Sequence, residues 1–372
     1  MGIRTVNRFR SKLLVAIAAT LVVLAAAGPA PAQTREEVPR GFEGVDSLSA
    51  PPVRDVVLQR ASTGSARAVS RASAARYPVN DGSGRTVGIS VSTICEVNCT
   101  AAAPQPIANF LGTVRHSDEM NALSVQLVFR TEIGTICGDA EALACYFTDQ
   151  RMMVINGDEG TAGDGATREF VIAHEYGHHL ANSRLNPPFV PAVAYGPKRW
   201  TTYERVCEGV DAGAYFPGNQ GSRYYQNPGE AFAEAFAFAR FPASPVKWAW
   251  SDSLRPDAGA FAAIGADVAK PWSGPVKTIT RGRIADRGRR RAVRVIRTGL
   301  DGDLELRLSA QRGAALNLEV RDAAGKLLAQ SRKGGLRQVL NYTVCGQSSL
   351  RIVVKRVAPG FGGRFRMVIR RP

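Results

Sequence analysis

Residues 168–185 read REFVIAHEYGHHLANSRL, and this stretch decides how the chain around it is interpreted. Apolar residues recur with helical spacing at Phe170, Val171, Ala173 and Leu180, and two prolines follow at 187 and 188. The pattern therefore predicts an amphipathic helix over residues 168–185, with charged and imidazole side chains distributed among the apolar ones.

Three of the four histidines of the chain lie in this helix. His174 and His178 are four residues apart, so on a helix both imidazoles project from one face and can bind a single Zn²⁺. Glu175 lies about 100° further round the helix, where it can act as a general base on a water molecule without binding the metal. His179 points away from this face, and His116 lies in a polar stretch that is typical of a surface histidine.

A tetrahedral zinc site with one open position needs a third protein ligand. Residues 227–239 read NPGEAFAEAFAFA and predict a second helix over residues 228–240, buried because it is apolar on every side except at two glutamates. Buried carboxylates need a metal, a cation or hydrogen-bond donors. Glu230 is therefore the candidate third ligand, and Glu234 the candidate acceptor for the second ring nitrogen of a ligand histidine.

The sequence also allows other roles for Glu230 and for residues near the second helix. Glu230 is also the third residue of its helix after Asn227, where a glutamate can reach back to cap the helix. Asp211, in a segment that contains glycines, is a rival third ligand that would enter the site from a loop. Tyr224 and Tyr225 precede the second helix, and one of them could donate its phenol to an oxyanion or simply pack the loop.

The composition is that of an ordinary globular protein. The chain has 372 residues, 45% hydrophobic and 22% charged, which excludes a disordered polymer, a collagen and a multi-span membrane protein. The formal net charge of +16 is unevenly distributed: residues 276–372 carry +17, whereas residues 33–275 carry −5. The basic character thus belongs to the C-terminal part, which predicts an anionic partner for it, such as a cell-surface polymer.

The N-terminus predicts export. Residues 13–27 form an apolar run behind a basic start, and Ala30-Pro31-Ala32 provides a cleavage site, as in a secretory signal peptide that is too short to span a membrane. We therefore expect a secreted protein, extracellular or periplasmic, without a membrane span after cleavage. Outside the cytosol the six cysteines predict up to three disulfides. Of the fifteen possible connectivities we favour Cys95–Cys99, Cys137–Cys145 and Cys207–Cys345.

Composition and the pattern of apolar and polar residues divide the chain into four parts. Residues 1–32 are the signal peptide, residues 33–84 are rich in Ser, Ala, Arg and Pro and predict a flexible leader or pro-segment, and residues 85–275 hold the two helices. Residues 276–372 alternate apolar and polar positions in short runs, which predicts a small antiparallel β-sandwich. The predicted strands are 86–92, 122–129, 151–156, 304–308, 316–320, 350–354 and 365–369.

The sequence HEYGH at 174–178, followed by EAFAEAF at 230–236, resembles the glutamate-type zincin metallopeptidases. The second segment is similar to the one that supplies the zinc-binding glutamate in anthrax lethal-factor-type peptidases. This resemblance covers about residues 145–240. It implies an α+β zincin-like catalytic domain, and it implies that strand 151–156 is an edge strand along which the substrate backbone adds.

The same resemblance implies roles for individual residues. His174, His178 and Glu230 would be zinc ligands, Glu175 the general base, and Tyr224 the donor that stabilises the transition state. Separately, GKLLAQS at 325–331 and GGRFRMVI at 362–369 are similar to the pre-peptidase C-terminal β-sandwich that follows secreted bacterial peptidases.

Together these features predict a secreted zinc-dependent peptidase, an endopeptidase, with protein or peptide substrates. Two alternatives belong to other classes: a non-catalytic zincin-fold adhesive or binding module, and an anionic-polymer-binding protein that displays a protease domain. Glu175 favours catalysis, because a structural zinc site is normally closed by four protein ligands and has no use for a base.

Overall fold

The computed structural model describes residues 59–61, 74–99, 103–158, 161–163, 165–288, 290–331, 335–346, 348–357 and 361–372, so the predicted signal peptide lies outside the described residues. Its helices are α1 (Thr93–Asn98), α2 (Pro104–Leu111), α3 (Arg130–Cys137), α4 (Arg168–Asn182), α5 (Ala192–Tyr195), α6 (Lys198–Tyr203), α7 (Val206–Asp211), α8 (Pro228–Arg240) and α9 (Ala258–Ala269). Its strands are β1 (Gln59–Ala61), β2 (Ala75–Pro78), β3 (Thr86–Val91), β4 (Ser124–Val128), β5 (Ala144–Phe147), β6 (Met152–Asn156), β7 (Thr161–Gly163), β8 (Ala166–Thr167), β9 (Val276–Ile284), β10 (Arg291–Thr298), β11 (Gly302–Ala310), β12 (Leu316–Arg321), β13 (Leu327–Ser331), β14 (Arg337–Val344), β15 (Ser348–Arg356) and β16 (Gly363–Arg371).

The first sheet is mixed, with the strand order β1-β5-β6-β4-β3-β2. Strands β3, β4 and β6 run parallel, and β2 and β5 are antiparallel to their neighbours β3 and β6. Alternate strand residues face opposite sides. Tyr146 and Met153 join the main core that contains α4, whereas Phe147 and Val154 pack with Ile133 of α3. The combination of this sheet with helices on both faces is an α+β architecture.

The predicted strands 86–92, 122–129 and 151–156 are confirmed as β3, β4 and β6. Strands β1 and β2 lie within residues 33–84, the range that the sequence assigned to a leader, and Val79 after β2 is buried in the main core. The sheet thus begins earlier in the chain than the composition suggested.

Helix α4 carries the histidine motif into the interior. Its N-cap is Thr167, whose Oγ1 accepts a hydrogen bond from the backbone N–H of Phe170 at 3.1 Å. The helix ends at Asn182, three residues before the predicted end, and 13 of its 15 residues are buried. The polar side chains of the motif therefore need partners inside the protein.

Helix α8 has the predicted bounds, and its first ten residues are buried. It crosses α4 closely at Gly177, where a Cβ atom would lie only 2.8 Å from the Cα of Ala233. Because only glycine leaves space for this approach, Gly177 lets the two helices bring their polar side chains together.

The C-terminal part contains two four-stranded antiparallel sheets, β10-β15-β12-β13 and β14-β11-β16-β9, packed as in a sandwich. The inward residues of β11, Leu304, Leu306 and Leu308, join apolar residues of the other sheet, such as Leu318 and Ile352, in one core. The alternating pattern that the sequence showed is thus an alternation of buried and exposed positions. All four strands predicted in this region are confirmed.

The sandwich is joined to the helical part covalently and by hydrogen bonds. The disulfide Cys207–Cys345 links α7 to the loop after β14, and the N–H of Asp301 donates to Thr202 Oγ1 at 2.9 Å. The other two disulfides are Cys95–Cys99 and Cys137–Cys145, so the favoured connectivity is confirmed. Three disulfides are typical of a protein that folds outside the reducing cytosol. Among the described residues, none of the helices is long and apolar enough to cross a membrane.

Candidate metal centre

The two histidines of α4 lie side by side in the interior. The rings of His174 and His178 have centroids 5.0 Å apart, and the side chains are 0% and 1% exposed. Their Nε2 atoms have no hydrogen-bond partner among the described residues. The two buried Nε2 atoms thus face the same point, as the four-residue spacing predicts.

Glu230 of α8 completes the cluster. Its Oε2 lies 3.2 Å from His178 Nε2 and 3.5 Å from His174 Nε2. One ligand atom of each of the three residues lies within 4.8 Å of the others, so the triad could hold a metal ion. Two imidazoles and one carboxylate are a donor set that zinc accepts, with a further position left for a non-protein ligand. The residues present therefore fit the metal that the sequence predicts.

The capping role considered for Glu230 is wrong. The side chain of Asn227 caps α8 by accepting from the N–H of Gly229, and the N–H of Asn227 donates to the carbonyl of Tyr224 at 2.9 Å. The Glu230 carboxylate is turned inward instead, where Gln220 Nε2 donates to its Oε1 at 3.1 Å.

Asp211, the rival third ligand, is not part of the cluster. It is exposed at the end of α7, with its Oδ2 3.5 Å from Cys345 Sγ. The alternative in which Asp211 enters the site from a loop is wrong, because its segment is a short helix tied to the Cys207–Cys345 disulfide.

Glu234 lies one turn after Glu230 and contacts the other ring nitrogen of His174. Its Oε2 accepts from His174 Nδ1 at 3.0 Å. This hydrogen bond places the ring proton on Nδ1 and leaves Nε2 available for a metal. The contact is the one expected for Glu234 from its position in the sequence.

The electrostatics of the site favour a cation. Glu175, Glu230 and Glu234 are all buried, and the ion pairs that described residues form with them involve only the two histidines. Burial disfavours the charged form of His174, but Glu230 and Glu234 more than offset it and raise the pKa of His174 to about 10. Burial alone would raise the pKa of Glu230, yet the histidines lower it below its usual range. When all three carboxylates are ionised, they carry more negative charge than the two imidazoles can balance, and a divalent cation would compensate the difference.

Glu175 is buried without a hydrogen-bond partner. Neither carboxylate oxygen has one among the described residues. Burial raises the pKa of Glu175 well above its usual range, and nearby Glu230 raises it further while His174 opposes the change. A buried carboxylate without a hydrogen-bond partner among the described residues, next to the His174–His178–Glu230 triad, is available to exchange a proton with a small molecule in the site.

Of the two tyrosines before α8, Tyr224 reaches the cluster. Its half-buried phenol donates to Glu230 Oε2 at 3.3 Å, whereas Tyr225 is 39% exposed. Burial and the neighbouring carboxylates raise the pKa of Tyr224 well above its usual range, so the phenol keeps its proton. Its predicted role as a donor to substrate remains a prediction.

Two side chains around the cluster were not foreseen. Gln220 holds Glu230, as described above, and the Trp250 ring lies 6.1 Å from His174 and 6.3 Å from Tyr224, centroid to centroid. Both come from irregular segments, where no periodicity signals a contact.

Of the two other histidines, His179 lies outside the cluster, as expected, whereas the surface position expected for His116 was wrong. His179 is buried: its Nε2 lies 2.9 Å from the carbonyl of Glu119, its Nδ1 lies 3.0 Å from Tyr146 Oη, and burial lowers its pKa to about 4. His179 thus links α4 to Tyr146 of β5 and to Glu119, away from the cluster. His116 is not a surface residue either, since its side chain is 6% exposed and its Nε2 lies 2.8 Å from Asp81 Oδ2.

The edge strand implied by the resemblance also needs correction. Strand β6, within residues 151–156, lies between β4 and β5 and has no free edge. Strand β5 is the antiparallel strand on that side of the sheet, and β1 pairs with its outer side. The sequence did not predict β1 or β5 as strands, so it could not show that β6 is covered on that side.

No protein-family model matches the chain, and no curated protein matches it. Among solved structures, the pre-peptidase C-terminal domain of a collagenase from Bacillus anthracis is a neighbour with 12% identity and a TM-score of 0.23, covering 25% of this chain and 89% of that one. A periplasmic inhibitor of g-type lysozyme from Aeromonas hydrophila has 8% identity and a TM-score of 0.19, covering 26% of this chain and 87% of that one. At these TM-scores neither likeness supports an argument about function.

Proposed function

We propose that this protein is a secreted zinc-dependent peptidase of the glutamate-type zincin class. The observation that carries the proposal is the convergence of His174, His178 and Glu230 beside the unpaired carboxylate of Glu175, all in the interior. The three disulfides support a location outside the cytosol, extracellular or periplasmic.

The residues of the cluster divide the chemistry between them. His174, His178 and Glu230 hold the zinc, and Glu234 fixes the His174 ring in the tautomer that binds it. When bound, zinc supplies a Lewis acid that polarises the scissile carbonyl and makes water a better nucleophile. Glu175 accepts the proton of the attacking water and returns a proton to the leaving amine, and Tyr224 donates a hydrogen bond to the oxyanion that develops on the carbonyl.

The donor count argues against a purely structural metal. A structural zinc site is closed by four protein ligands, whereas the cluster found among the described residues provides three. A buried carboxylate without a hydrogen-bond partner lowers the stability of the folded state. In a protein that uses the metal only to hold its fold, Glu175 would therefore destabilise the structure without serving a purpose.

The test of this proposal replaces the base and keeps the ligands. Glu175→Gln should lower the hydrolysis of peptides by a factor on the order of 10² or more, because a general base is lost, while metal analysis still finds about one zinc per chain. The matched control is Glu169→Gln in the first turn of the same helix, where the carboxylate is 38% exposed and pairs with Arg168; it should leave both readouts unchanged.

A chelator provides the second arm of the test. Hydrolysis by the unaltered protein should disappear with 1,10-phenanthroline and return with added zinc. Peptide hydrolysis that survives in Glu175→Gln, or that ignores the chelator, contradicts the proposed function.

A further inference from the structure

The outward face of the sheet β14-β11-β16-β9 is strongly basic. In this sheet alternate residues point outward, and eight of those outward positions are Lys or Arg against two acidic residues. Eight of the 23 basic residues of segment 276–372 therefore lie on this one face, where the strand register gives them a defined geometry.

Four arginines form the centre of this face, which we call the arginine quartet: Arg281 and Arg283 on β9, and Arg364 and Arg366 on β16. The register places Arg283 opposite Arg364 and Arg281 opposite Arg366. Directly opposed side chains have Cβ atoms about 5 Å apart, and neighbours two residues apart along a strand are separated by about 7 Å. All four are exposed, and none forms an ion pair with a described residue, unlike Arg307 of the same face, which pairs with Glu305.

Placing like charges opposite each other costs stability. The register is nevertheless held from the inner side of the sheet, where the Phe365 ring covers Gly282; a Cβ atom at residue 282 would lie 2.4 Å from that ring. The core packing thus enforces the repulsion between the arginines. An anionic ligand would relieve this repulsion.

The pattern along the two strands indicates the kind of anion. After the quartet comes an apolar pair, Val368 opposite Ile279, and then Arg370 opposite Lys277. The stripe spans seven residues of each strand, and the six steps between the first and the last make it about 20 Å long. No outward position of these strands within the described residues is aromatic, and single-stranded nucleic acids are bound through stacking on aromatic rings.

From this arrangement we propose that the basic face binds an acidic polysaccharide, with carboxylate or sulfate groups on the arginines and the apolar faces of sugar rings on Ile279 and Val368. Arginine suits this ligand, because its planar guanidinium binds such oxyanions through two parallel hydrogen bonds. The stripe fits a linear polymer in which anionic groups alternate with the apolar C–H faces of sugar rings. This binding is independent of the peptidase chemistry proposed above.

The experiment uses the full chain and the sulfated polysaccharide heparin as the probe. Replacing the quartet together (Arg281→Gln, Arg283→Gln, Arg364→Gln and Arg366→Gln) should weaken heparin binding at 0.1 M salt at least tenfold. It should also reduce the slope of log K against log salt by about three, as expected when four cationic contacts are lost. The matched control replaces four exposed arginines of the other sheet with glutamine. These are Arg291, Arg294 and Arg297 on β10 and Arg351 on β15, and their loss should change heparin affinity less than threefold.

Each outcome decides the proposal. Equal losses in the quartet variant and in the control would mean that net charge alone governs binding, which overturns the proposal, as would an unchanged quartet variant. Tighter binding of duplex DNA or of phosphatidylserine vesicles than of heparin, at equal salt, would overturn the ligand class. Thermal unfolding shows that the variants are folded, and the quartet variant should be at least as stable as the unaltered protein; if it fails to fold, the pair Arg283→Gln and Arg364→Gln replaces it.

Discussion

Glu230 and Glu234 are both buried on α8, one turn apart, yet they face different atoms of the same imidazole. Glu230 approaches the Nε2 atoms of His174 and His178, whereas Glu234 accepts from His174 Nδ1. One carboxylate is therefore placed to bind a metal together with the two histidines, and the other is placed to orient His174. The distinction predicts that removing each carboxylate lowers zinc affinity to a different extent.

We expect Glu230→Ala to lose zinc altogether, because it removes one of three protein ligands. Glu234→Ala should weaken zinc binding about 10–100-fold, as changes behind a ligand histidine do. Asp211→Ala is the control, since this exposed carboxylate lies beside Cys345 and not in the cluster. Zinc affinity measured by competition with a chromogenic chelator ranks the three variants. Loss of metal from Asp211→Ala, or equal affinity in Glu230→Ala and the unaltered protein, would contradict the assignment.

The sequence predicts the residues of this cluster better than their surroundings. The spacing of His174 and His178 and the apolar context of Glu230 are local patterns, so they can be read without a structure. Gln220 and Trp250 reach the site from irregular segments on either side of α8, and the contact of His179 with Glu119 spans 60 residues of sequence. Contacts of this kind depend on tertiary packing, which leaves no periodic signal.

At the scale of elements, the site depends on how closely α4 and α8 approach. Gly177 lies between the two ligand histidines in sequence, and a Cβ atom there would meet the backbone of Ala233. The histidine motif thus contains the residue that makes room for the helix carrying Glu230. A substitution at residue 177 changes helix spacing without changing any ligand.

Gly177→Ala should therefore destabilise the protein by about 1–3 kcal/mol, the usual cost of overpacking, and should weaken zinc binding. Intrinsic helix propensity acts in the opposite direction, since alanine is better than glycine in a helix by about 1 kcal/mol. Gly265→Ala in α9 is the matched control, because its Cβ atom would meet only the end of the Arg115 side chain. Urea unfolding and zinc titration of both variants provide the comparison, and a Gly177→Ala protein as stable as the control would show that the helices do not meet as described.

The elements that the sequence predicted are the long or strongly alternating ones. Helix α8 has its predicted bounds, and α4 is three residues shorter than expected. Helices α5, α6 and α7 fill the segment between the two halves of the site and are four to six residues long. Helical periodicity needs about 11 residues to be recognised, so such short helices escape it.

At the scale of the whole molecule, the charge difference between residues 33–275 and 276–372 suggested two separate units. The structure joins them through a disulfide and through a buried aspartate. Asp301 precedes β11, its N–H donates to Thr202 Oγ1, and its Oδ1 accepts from the N–H of Gly346 at 2.6 Å. Its Oδ2 has no hydrogen-bond partner among the described residues. At the junction, therefore, only one of the two oxygens of this buried carboxylate accepts a hydrogen bond from a described residue.

This carboxylate should make the stability of the protein depend on pH. Burial raises the pKa of Asp301 to about 7; Glu208 also raises it, while the Gly346 N–H, Lys198 and Thr202 oppose the change. In the unfolded chain the pKa of an aspartate is about 3.9, so between about pH 4 and 7 the folded state binds the extra proton. The contribution of Asp301 to the free energy of unfolding is then greatest below about pH 4 and is lost as the pH rises through 7.

Asp301→Asn, which keeps the shape and the acceptor for Gly346 without the charge, should remove this part of the pH dependence. The difference in the free energy of unfolding between the variant and the unaltered protein should grow in favour of the variant as the pH rises from about 5 to 7, by roughly 1.4 kcal/mol per pH unit. Between pH 7 and 8 it should grow little further. Urea unfolding at pH 5 and pH 8 measures the difference, and other titrating groups cancel in the comparison. Asp303→Asn, an exposed neighbour hydrogen-bonded to Thr343, is the control and should follow the unaltered protein. The same pH dependence in Asp301→Asn and in the unaltered protein would mean that the junction tolerates the charge, with water or a cation at the free oxygen.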